Sequence, residues 1–418
     1  MANNELYNDD ELNAPDWLNE KFFENVLKKV EPKHAKVTDL VLKPGTLKND
    51  HYASVLYRAK VKYILESKPS EEKVQSFILK VEPFVDGFKK DVMSDLHIFK
   101  TEIDMYTEVL PKIEKVLRQY GDETVLGPKL IDSSATSPSY IIFEDLAVKG
   151  YTTIGSRFTN IDEVKFALLK LAKLHAISYK LSKEKDTSFA ALDKGSMNSL
   201  DPNNFDFIKN ATKLLKEVLN EHKDLSAFVP LIDAVDDVLL PKTIAMFNEN
   251  RDGKCNNGLT VLNHGDFHAK NIMIQTVGGK LNDLMLLDYQ ISVFGSPAID
   301  LHYAFAMIFS PEMRRDHHDE LLFYYITNFQ ETLRKTEYQG AIQTITNFRA
   351  ELQKHRYWGL FLILSFLIIN YAFADEKGDL AQVIENQTAQ KKQLEDPRML
   401  NELREIFPKF LYEGYFEY

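Results

Sequence analysis

The sequence is poor in cysteine and carries no excess of basic residues, and both shortages exclude classes of protein. Cys255 is the only cysteine among 418 residues, so no intrachain disulfide can form, and a reducing, cytoplasmic location is expected. Acidic residues outnumber basic ones by 62 to 51, for a net charge of −11. Proteins that bind nucleic-acid backbones need clustered Lys and Arg. We therefore expect no nucleic-acid partner, although a local basic pocket for one phosphorylated ligand stays open.

Long apolar runs are also scarce. The N-terminal stretch MANNELYNDDELNAPDW is acidic and has no apolar core, which predicts no signal peptide. One uncharged run, YWGLFLILSFLIINYAFA at 357–374, lies at the lower length limit for a bilayer span, and Ser365 and Asn370 interrupt it. A helix that is apolar on all sides is typical of the centre of a large soluble lobe. We predict a buried helix and no membrane partner, with a membrane span as the alternative.

What is present is an ordinary globular composition, 44% hydrophobic and 27% charged, in a chain long enough for two lobes with hydrophobic cores. The first part mixes elements: ASVLYRAKVKYIL and SFILKVEP alternate as strands with a turn at KPSEEK, and HIFKTEIDMYTEVLP has helical spacing up to Pro111. From Asn160, a predicted helix N-cap, helices dominate. We expect an α+β fold with a smaller lobe of antiparallel strands plus a helix at 1–146 and a larger, mainly helical lobe at 147–418.

The stretch LNHGDFHAKNIMI carries the chemistry. Asp266 follows an apolar strand, where its carboxylate could accept a proton from an alcohol; Asn271 offers a neutral oxygen ligand, and Asp288, at the end of LMLLD, a charged one. Mg²⁺ prefers a few hard oxygen ligands. Taken alone, Asp266 and Asn271 could equally be turn-forming residues. Together with Asp288 they predict a catalytic loop and a metal-binding loop for phosphoryl transfer.

A cation for the phosphates is predicted upstream. Lys80 ends the apolar strand SFILK, where a lysine is costly without a partner. Glu102 in the next helix is a natural partner. A lysine on a strand paired with a glutamate on a helix is the arrangement by which kinases hold the α- and β-phosphates of ATP.

These motifs resemble a known family. HGDFHAKN with LLDYQ resembles the kinase branch of choline kinases and aminoglycoside phosphotransferases, and Gln290 after Asp288 and Tyr289 looks closest to the ecdysteroid kinase-like family of insects. Five further stretches agree with this resemblance, namely FKTEIDMYTEVLP, IIFEDL, KGY, LAKLHAISYK and SPAIDLHYAF. The resemblance covers most of the chain from about Thr38, and it implies a two-lobed protein-kinase-like fold with ATP and Mg²⁺ as cofactors.

The resemblance also implies a role for each matching residue. Asp266 would be the catalytic base, and Asn271 and Asp288 would bind Mg²⁺. Lys80, oriented by Glu102, would hold the phosphates of ATP. A hinge at 143–147 would meet the adenine through the backbone of Glu144, Asp145 and Leu146. Asp300 would brace the catalytic loop, and His264 is interpreted as a second structural support because Asp266 already fills the proton-accepting role.

One segment departs from the family pattern. The phosphate-covering loop is usually glycine-rich, whereas KPGTLKNDHYASVLYRA has only Gly45. Tyr52 and Ser54 still stand where the family often has an aromatic residue and a serine, and Ser54 and backbone amides could bind phosphate. The fit of this loop to ATP is therefore the weakest part of the resemblance.

The expected function is phosphorylation of a hydroxyl on a small lipophilic alcohol, most simply an ecdysteroid, with detoxification of plant-derived or other foreign alcohols as the alternative. A protein kinase would need H-R-D, D-F-G and A-P-E signatures, which the chain lacks. A pseudokinase or steroid-binding protein stays open because of the glycine-poor loop. The acceptor and the oligomeric state cannot be inferred from these residues.

Overall fold

The computed structural model describes most of the chain, namely residues 12–31, 35–45, 55–82, 98–154, 157–158, 160–186, 188–189, 191–199, 206–249, 251, 258–374 and 380–417. The chain forms two compact units. The first comprises Met1–Leu110, Gly127–Thr152 and Met273–Gln290, and the second comprises Pro111–Leu126, Thr153–Ile272 and Ile291–Tyr418. The predicted division into 1–146 and 147–418 stays a prediction; each compact unit is built from three segments of the chain.

The first unit is built on a five-stranded antiparallel sheet with the strand order β1-β2-β3-β5-β4. The strands are β1 (Ala35–Pro44), β2 (Val55–Leu65), β3 (Lys68–Val81), β4 (Leu130–Ser134) and β5 (Tyr140–Glu144). Every second residue of β2 is buried, as the alternating sequence predicts for a strand with one face on the core. The central position of β3 puts Lys80 between Leu56 of β2 and Ile141 of β5.

A helix covers one face of this sheet. Helix α1 (Glu20–Val30) begins at Asn19, whose side-chain oxygen accepts a hydrogen bond from the backbone N–H of Phe22. Such a cap satisfies one of the four N–H groups that a helix start leaves without a partner. Phe23 of α1 is fully buried and stacks on Phe77 of β3. This packing makes the hydrophobic core of the first unit.

Two sequence predictions in this region are wrong in detail. The stretch KPSEEK, predicted as a turn, is the exposed start of β3, and the turn itself lies at 66–67. Pairing with the end of β2 overrides its turn-like composition. The helix predicted to stop at Pro111 continues: α2 (Ile98–Asp104) runs through a π-helical turn at Met105–Val109 into α3 (Leu110–Gln119). The proline falls in the first turn after the π-helical segment, where its missing N–H is tolerated.

A small sheet has the strand order β6-β8-β9, formed by β6 (Tyr151–Thr153), β8 (Ile272–Val277) and β9 (Lys280–Leu286). Strands β8 and β9 form a hairpin whose two turn residues, Gly278 and Gly279, both have positive φ. This backbone conformation is readily available to glycine, and it matches the hairpin predicted for TVGGKL.

The second unit is mainly helical. Its strands β7 (Val261–Asn263) and β10 (Val293–Gly295) form a short antiparallel ladder beside the long helix α4 (Ile161–Lys183), which Asn160 caps. The remaining helices are α5 (Ser196–Ser199), α6 (Asp206–Asn220), α7 (Val229–Asn248), α8 (Ala298–Met307), α9 (Pro311–Asp316), α10 (His318–Lys335), α11 (Ile345–Lys354), α12 (Arg356–Phe361), α13 (Leu367–Ala374), α14 (Leu380–Glu385), α15 (Gln387–Leu394) and α16 (Pro397–Tyr412).

The uncharged run at 357–374 is buried in the second unit. It consists of α12, a π-helical turn at Leu362–Phe366 and α13, and most of its described side chains are buried. Asn370 donates a hydrogen bond to the backbone oxygen of Ala306. Among the described residues, no helix is both long and apolar enough to cross a membrane. The structure thus confirms the predicted buried segment and the α+β class, with an antiparallel sheet and helices in one unit and mainly helices in the other.

Candidate active site

Lys80 lies on the face of β3 opposite to Phe77, Leu79 and Val81, which form the hydrophobic core, and it is almost completely buried. Its Nζ atom donates to Glu102 Oε2 at 2.6 Å, to Asp288 Oδ1 at 2.5 Å and to Gln290 Oε1 at 3.0 Å. All four residues belong to the first unit. An ammonium group has three hydrogens to donate, so these three acceptors match its whole capacity. The lysine–glutamate pair expected from the sequence is therefore present, with two further partners.

The charges around Lys80 favour its protonated form. Burial lowers the pKa of Lys80, but the carboxylates of Asp288 and Glu102 outweigh burial and raise it. Burial raises the pKa of Glu102 to about 7, helped by Asp288 and opposed by Lys80. Two carboxyl groups thus face one buried ammonium group, and a metal ion or a second cation would favour the ionised form of both.

Asp288 has an unusual backbone conformation. Its φ is +63°, in the left-handed region that Asp and Asn enter more readily than most residues. Gln290 fixes the carboxylate, because its Nε2 donates to Asp288 Oδ2 at 3.2 Å while its Oε1 accepts from Lys80. From the sequence, Gln290 was identified only as part of the motif that follows Asp288. Its bridging role between Lys80 and Asp288 depends on β3, which is about 200 residues away, and no local pattern shows it.

The predicted hinge residues have structural contacts of their own. Asp145 caps the short helix Leu146–Lys149 by accepting from the N–H of Ala147, and its other oxygen accepts from Arg58 and Ser76. Glu144 Oε1 accepts from the backbone N–H of Lys129, and Leu146 is buried. Their side chains therefore hold the chain in place, and the expected backbone contact with adenine stays a prediction. The predicted phosphate-loop residues Tyr52 and Ser54 lie outside the described residues.

In the second unit, the loop after β7 is held by Asp300. The two carboxylate oxygens of Asp300 accept from the backbone N–H of His264 at 2.6 Å and of Gly265 at 2.9 Å. Gly265 has φ of +86°, and a Cβ there would lie 2.2 Å from the backbone oxygen of Ile291. Only glycine fits this position. The buried ring of His264 accepts from the N–H of Asp266 at 3.4 Å, so both predicted supports contact the loop.

Asp266 is surrounded by hydrogen-bond donors. Tyr303 donates to its Oδ1 at 2.8 Å, Asn271 Nδ2 lies 3.0 Å from its Oδ2, and His268 Nε2 lies 3.4 Å from Oδ2. Burial raises the pKa of Asp266, but the positive field of His268 and the hydrogen bonds from His268 and Tyr303 outweigh it and hold the pKa well below its usual range. The carboxylate is therefore ionised at every physiological pH and serves as an oriented acceptor rather than a strong base.

Tyr303 is the residue that sequence reasoning missed. It lies on α8, one turn after Asp300, so the two residues share a helix face. Burial raises its pKa well above the ordinary value, which keeps the hydroxyl protonated and able to donate. A tyrosine three positions after an acid is too common to identify from spacing alone.

The predicted metal ligands offer suitable oxygens. The amide nitrogen of Asn271 is engaged by Asp266, which leaves its Oδ1 without a hydrogen bond from the described residues. The Asp288 side chain is 22% exposed, and both its oxygens are already oriented by Lys80 and Gln290. Hard oxygen donors of this kind fit Mg²⁺. Asn271 belongs to the second unit and Asp288 to the first.

A comparison with known families agrees with the family that the sequence motifs predicted. The model of the ecdysteroid kinase-like family matches residues 48–338, more than half of the chain. A search of curated proteins finds no match.

Solved structures of similar fold are distant. A choline kinase from Cryptosporidium parvum Iowa II has 12% identity and a TM-score of 0.44, covering 97% of this chain and 95% of that one. Spectinomycin phosphotransferase, in complex with ADP and spectinomycin, has 12% identity and a TM-score of 0.41, with coverages of 92% and 97%. A macrolide 2′-phosphotransferase from Brachybacterium faecium has 13% identity and a TM-score of 0.39, with coverages of 89% and 97%.

Proposed function

Because this chain belongs to the ecdysteroid kinase-like family, we propose that it is a phosphotransferase that moves the γ-phosphoryl group of ATP to a hydroxyl of a small alcohol. The observation that supports the proposal is a pair of side-chain clusters. In the first unit, Lys80 donates to Glu102 and Asp288. In the second unit, Tyr303 and Asn271 donate to Asp266. Phosphoryl transfer needs little covalent chemistry from the protein. It depends on positioning and on electrostatic stabilisation of the phosphates.

Asp266 orients the acceptor alcohol. Its carboxylate accepts a hydrogen bond from the attacking hydroxyl and takes the proton as the new P–O bond forms. With a pKa held below the usual range, it is a weak base, which suits a loose transition state in which the proton leaves late. Tyr303 and Asn271 fix the direction of the carboxylate, since both donate to it.

Lys80 binds the α- and β-phosphates of ATP. In the structure its ammonium group is already desolvated and held by Glu102, so binding phosphate requires little reorganisation of the lysine. Asp288 and Gln290 share the same ammonium group. A phosphate oxygen would replace the contact of one of them, while Glu102 keeps the lysine in place.

Asn271 Oδ1 and the Asp288 carboxylate would each offer an oxygen ligand to Mg²⁺. When bound, the ion neutralises charge on the phosphate oxygens. The carboxyl groups of Glu102 and Asp288 beside the Lys80 ammonium group favour a divalent cation there because two acids face a single cation. The side-chain amide of Gln290 keeps the Asp288 carboxylate oriented whether or not the ion is present.

For the acceptor, we propose a lipophilic alcohol, with an ecdysteroid as the first candidate and a plant-derived or other foreign alcohol as the second. The support for this choice is the family alone, since the described residues around Asp266 do not favour one alcohol over the other.

The test is ATP turnover with Mg²⁺ against a panel of ecdysteroids, plant phenols, glycosides and choline, with a generic protein substrate included. Asp266→Asn should abolish product formation, and Asp224→Asn, an exposed acid paired with Arg404, is the matched control and should leave turnover unchanged. Phosphorylation of a single class, lost only in Asp266→Asn, would name the acceptor. ATP binding without turnover on any alcohol would support a pseudokinase, and no ATP binding would contradict the roles given to Lys80 and Asp288.

A further inference from the structure

A cavity of about 400 Å³ lies within the second unit, lined by residues of α4, α8, α10, α11 and α16. Its volume is in the range of sites that hold small organic ligands. Helix α8 separates it from Asp266. Leu301, Ala304 and Phe305 share one face of α8 and line the cavity, whereas Tyr303 points to Asp266. The cavity is therefore a different place from the one where the acceptor hydroxyl is expected.

The walls are mostly apolar, and the polar groups inside carry no positive charge. Burial lowers the pKa of His302 to about 3, and burial and nearby Lys409 lower the pKa of His318. Both rings are thus neutral near pH 7 and offer hydrogen bonds rather than charge. Arg349 and Asp319 at the rim lie 3.8 Å apart and are largely exposed, and burial raises the pKa of Glu413, the remaining acid of the lining. An ionised ligand would lose its hydration inside, and the counter-charges of the lining are either exposed beside each other at the rim, as in Arg349 and Asp319, or opposed by burial, as in Glu413.

One wall residue connects the cavity to the loop that carries Asp266. The hydroxyl of Tyr325 lies 2.7 Å from His175 Nδ1, and His175 Nε2 lies 3.1 Å from Asp300 Oδ2. Asp300 in turn accepts from the backbone N–H groups of His264 and Gly265. In the tautomer that has its proton on Nε2, His175 accepts from Tyr325 and donates to Asp300, so every member of the chain is satisfied.

We propose that this cavity binds an uncharged, largely apolar small molecule bearing a hydroxyl or carbonyl group, and that its occupant is sensed by the loop at 264–266 through Tyr325, His175 and Asp300. The occupant packs against Tyr325 in the cavity wall and favours the arrangement in which its hydroxyl donates to His175, which strengthens the hydrogen bonds that hold the loop. The binding step does not depend on the proposed kinase activity, because the cavity, its neutral polar groups and its link to Asp300 are present whatever the loop does.

Binding is tested with 1-pyrenemethanol as the probe, measured by equilibrium dialysis without nucleotide. Leu322→Trp, a half-buried wall position on α10, should weaken binding about tenfold or more by filling the cavity. Phe323→Trp, the exposed neighbour outside the wall, is the matched control and should change it less than twofold. Leu352→Trp on α11 blocks the cavity independently. The anionic 1-pyrenecarboxylate should bind at least about tenfold more weakly than the alcohol. Unchanged affinity in both blocking variants, or absence of saturable binding by wild type, would overturn the proposal.

The proposed connection between the cavity and the loop at 264–266 is tested by hydrogen exchange of the His264 and Gly265 amides. Saturating probe should slow their exchange severalfold in wild type. Tyr325→Phe keeps the ring in the cavity wall and so should keep probe affinity, yet it removes the donor to His175 and should abolish the slowing. Tyr324→Phe, on the neighbouring position of α10 and outside the wall, should behave as wild type. Equal slowing in Tyr325→Phe, or none in wild type with probe bound, would refute the link.

Discussion

Replacing Gly265 by alanine tests the geometry of the loop that carries Asp266. The added Cβ would meet the Ile291 backbone oxygen at 2.2 Å, and the backbone would keep its φ of +86°. A left-handed conformation costs a residue with a Cβ about 1–2 kcal/mol, and overpacking a tight site costs roughly 1–3 kcal/mol more. We therefore expect a loss of roughly 2–5 kcal/mol in the free energy of unfolding, measured by urea denaturation.

Gly121 provides the matched control because its φ is +72° and a Cβ there meets nothing within 4 Å. Gly121→Ala should lose only the conformational part, about 1–2 kcal/mol. Gly265→Ala should also lower phosphotransferase turnover about a hundredfold or more, because small displacements of a reacting group have effects of this size, whereas Gly121→Ala should not. Equal losses of stability in the two variants would refute the close approach of Gly265 to Ile291.

Three further outcomes are expected. Tyr303→Phe removes a donor to a buried carboxylate, a bond of about 1.5–3 kcal/mol, so the pKa of Asp266 should rise from its depressed value and the acidic limb of the pH–rate profile should move upward. Lys80→Met leaves Glu102 and Asp288 without their cation, so ATP should bind at least about tenfold more weakly and stability should fall by about 3–5 kcal/mol. Burial lowers the pKa of His355, but Glu249 and Glu351 outweigh it and raise the pKa. Protonated His355 therefore contributes its whole stabilisation below its unfolded pKa of about 6.5, and this stabilisation is lost as the pH rises through the folded pKa. In thermal unfolding measured across this pH range, His355→Gln should lose less stability with rising pH than wild type.

Each of these three variants has a matched control variant at another position of the chain. Tyr357→Phe loses a hydroxyl bonded to the backbone oxygen of Glu417 and should leave the pH–rate profile in place. Lys62→Met removes a strand lysine from a surface pair with Asp39, which should leave stability nearly unchanged. His222→Gln, at a half-buried histidine outside the His355 cluster, should keep the pH dependence of wild type. A Lys80→Met variant as stable as Lys62→Met, or a profile shifted by Tyr357→Phe, would contradict the contacts described above.

The local elements and the positions of the reactive side chains could be predicted from the amino-acid sequence. Period-two alternation places β2, helical spacing and Asn160 place α4, and paired glycines place the β8–β9 hairpin, because each of these depends on neighbours within a few residues. A phosphotransferase family was identified from the motifs around Asp266, Asn271 and Asp288 together with Lys80. A charged residue in an apolar strand needs a partner, and few sequence patterns supply such a partner.

The contacts between distant segments depend on the tertiary structure and could not be predicted from the sequence. Gln290 joins Lys80 to Asp288 across about 200 residues, and Tyr303 donates to Asp266 across 37. The helix passes through Pro111 because a π-helical turn precedes it, which local propensity opposes. The cavity beside Tyr325 is formed by five helices, and no one of their sequences reveals it. Hydrophobic periodicity specifies which face of an element is buried, but the partner it meets, and the polar groups enclosed with it, depend on packing that no single segment encodes.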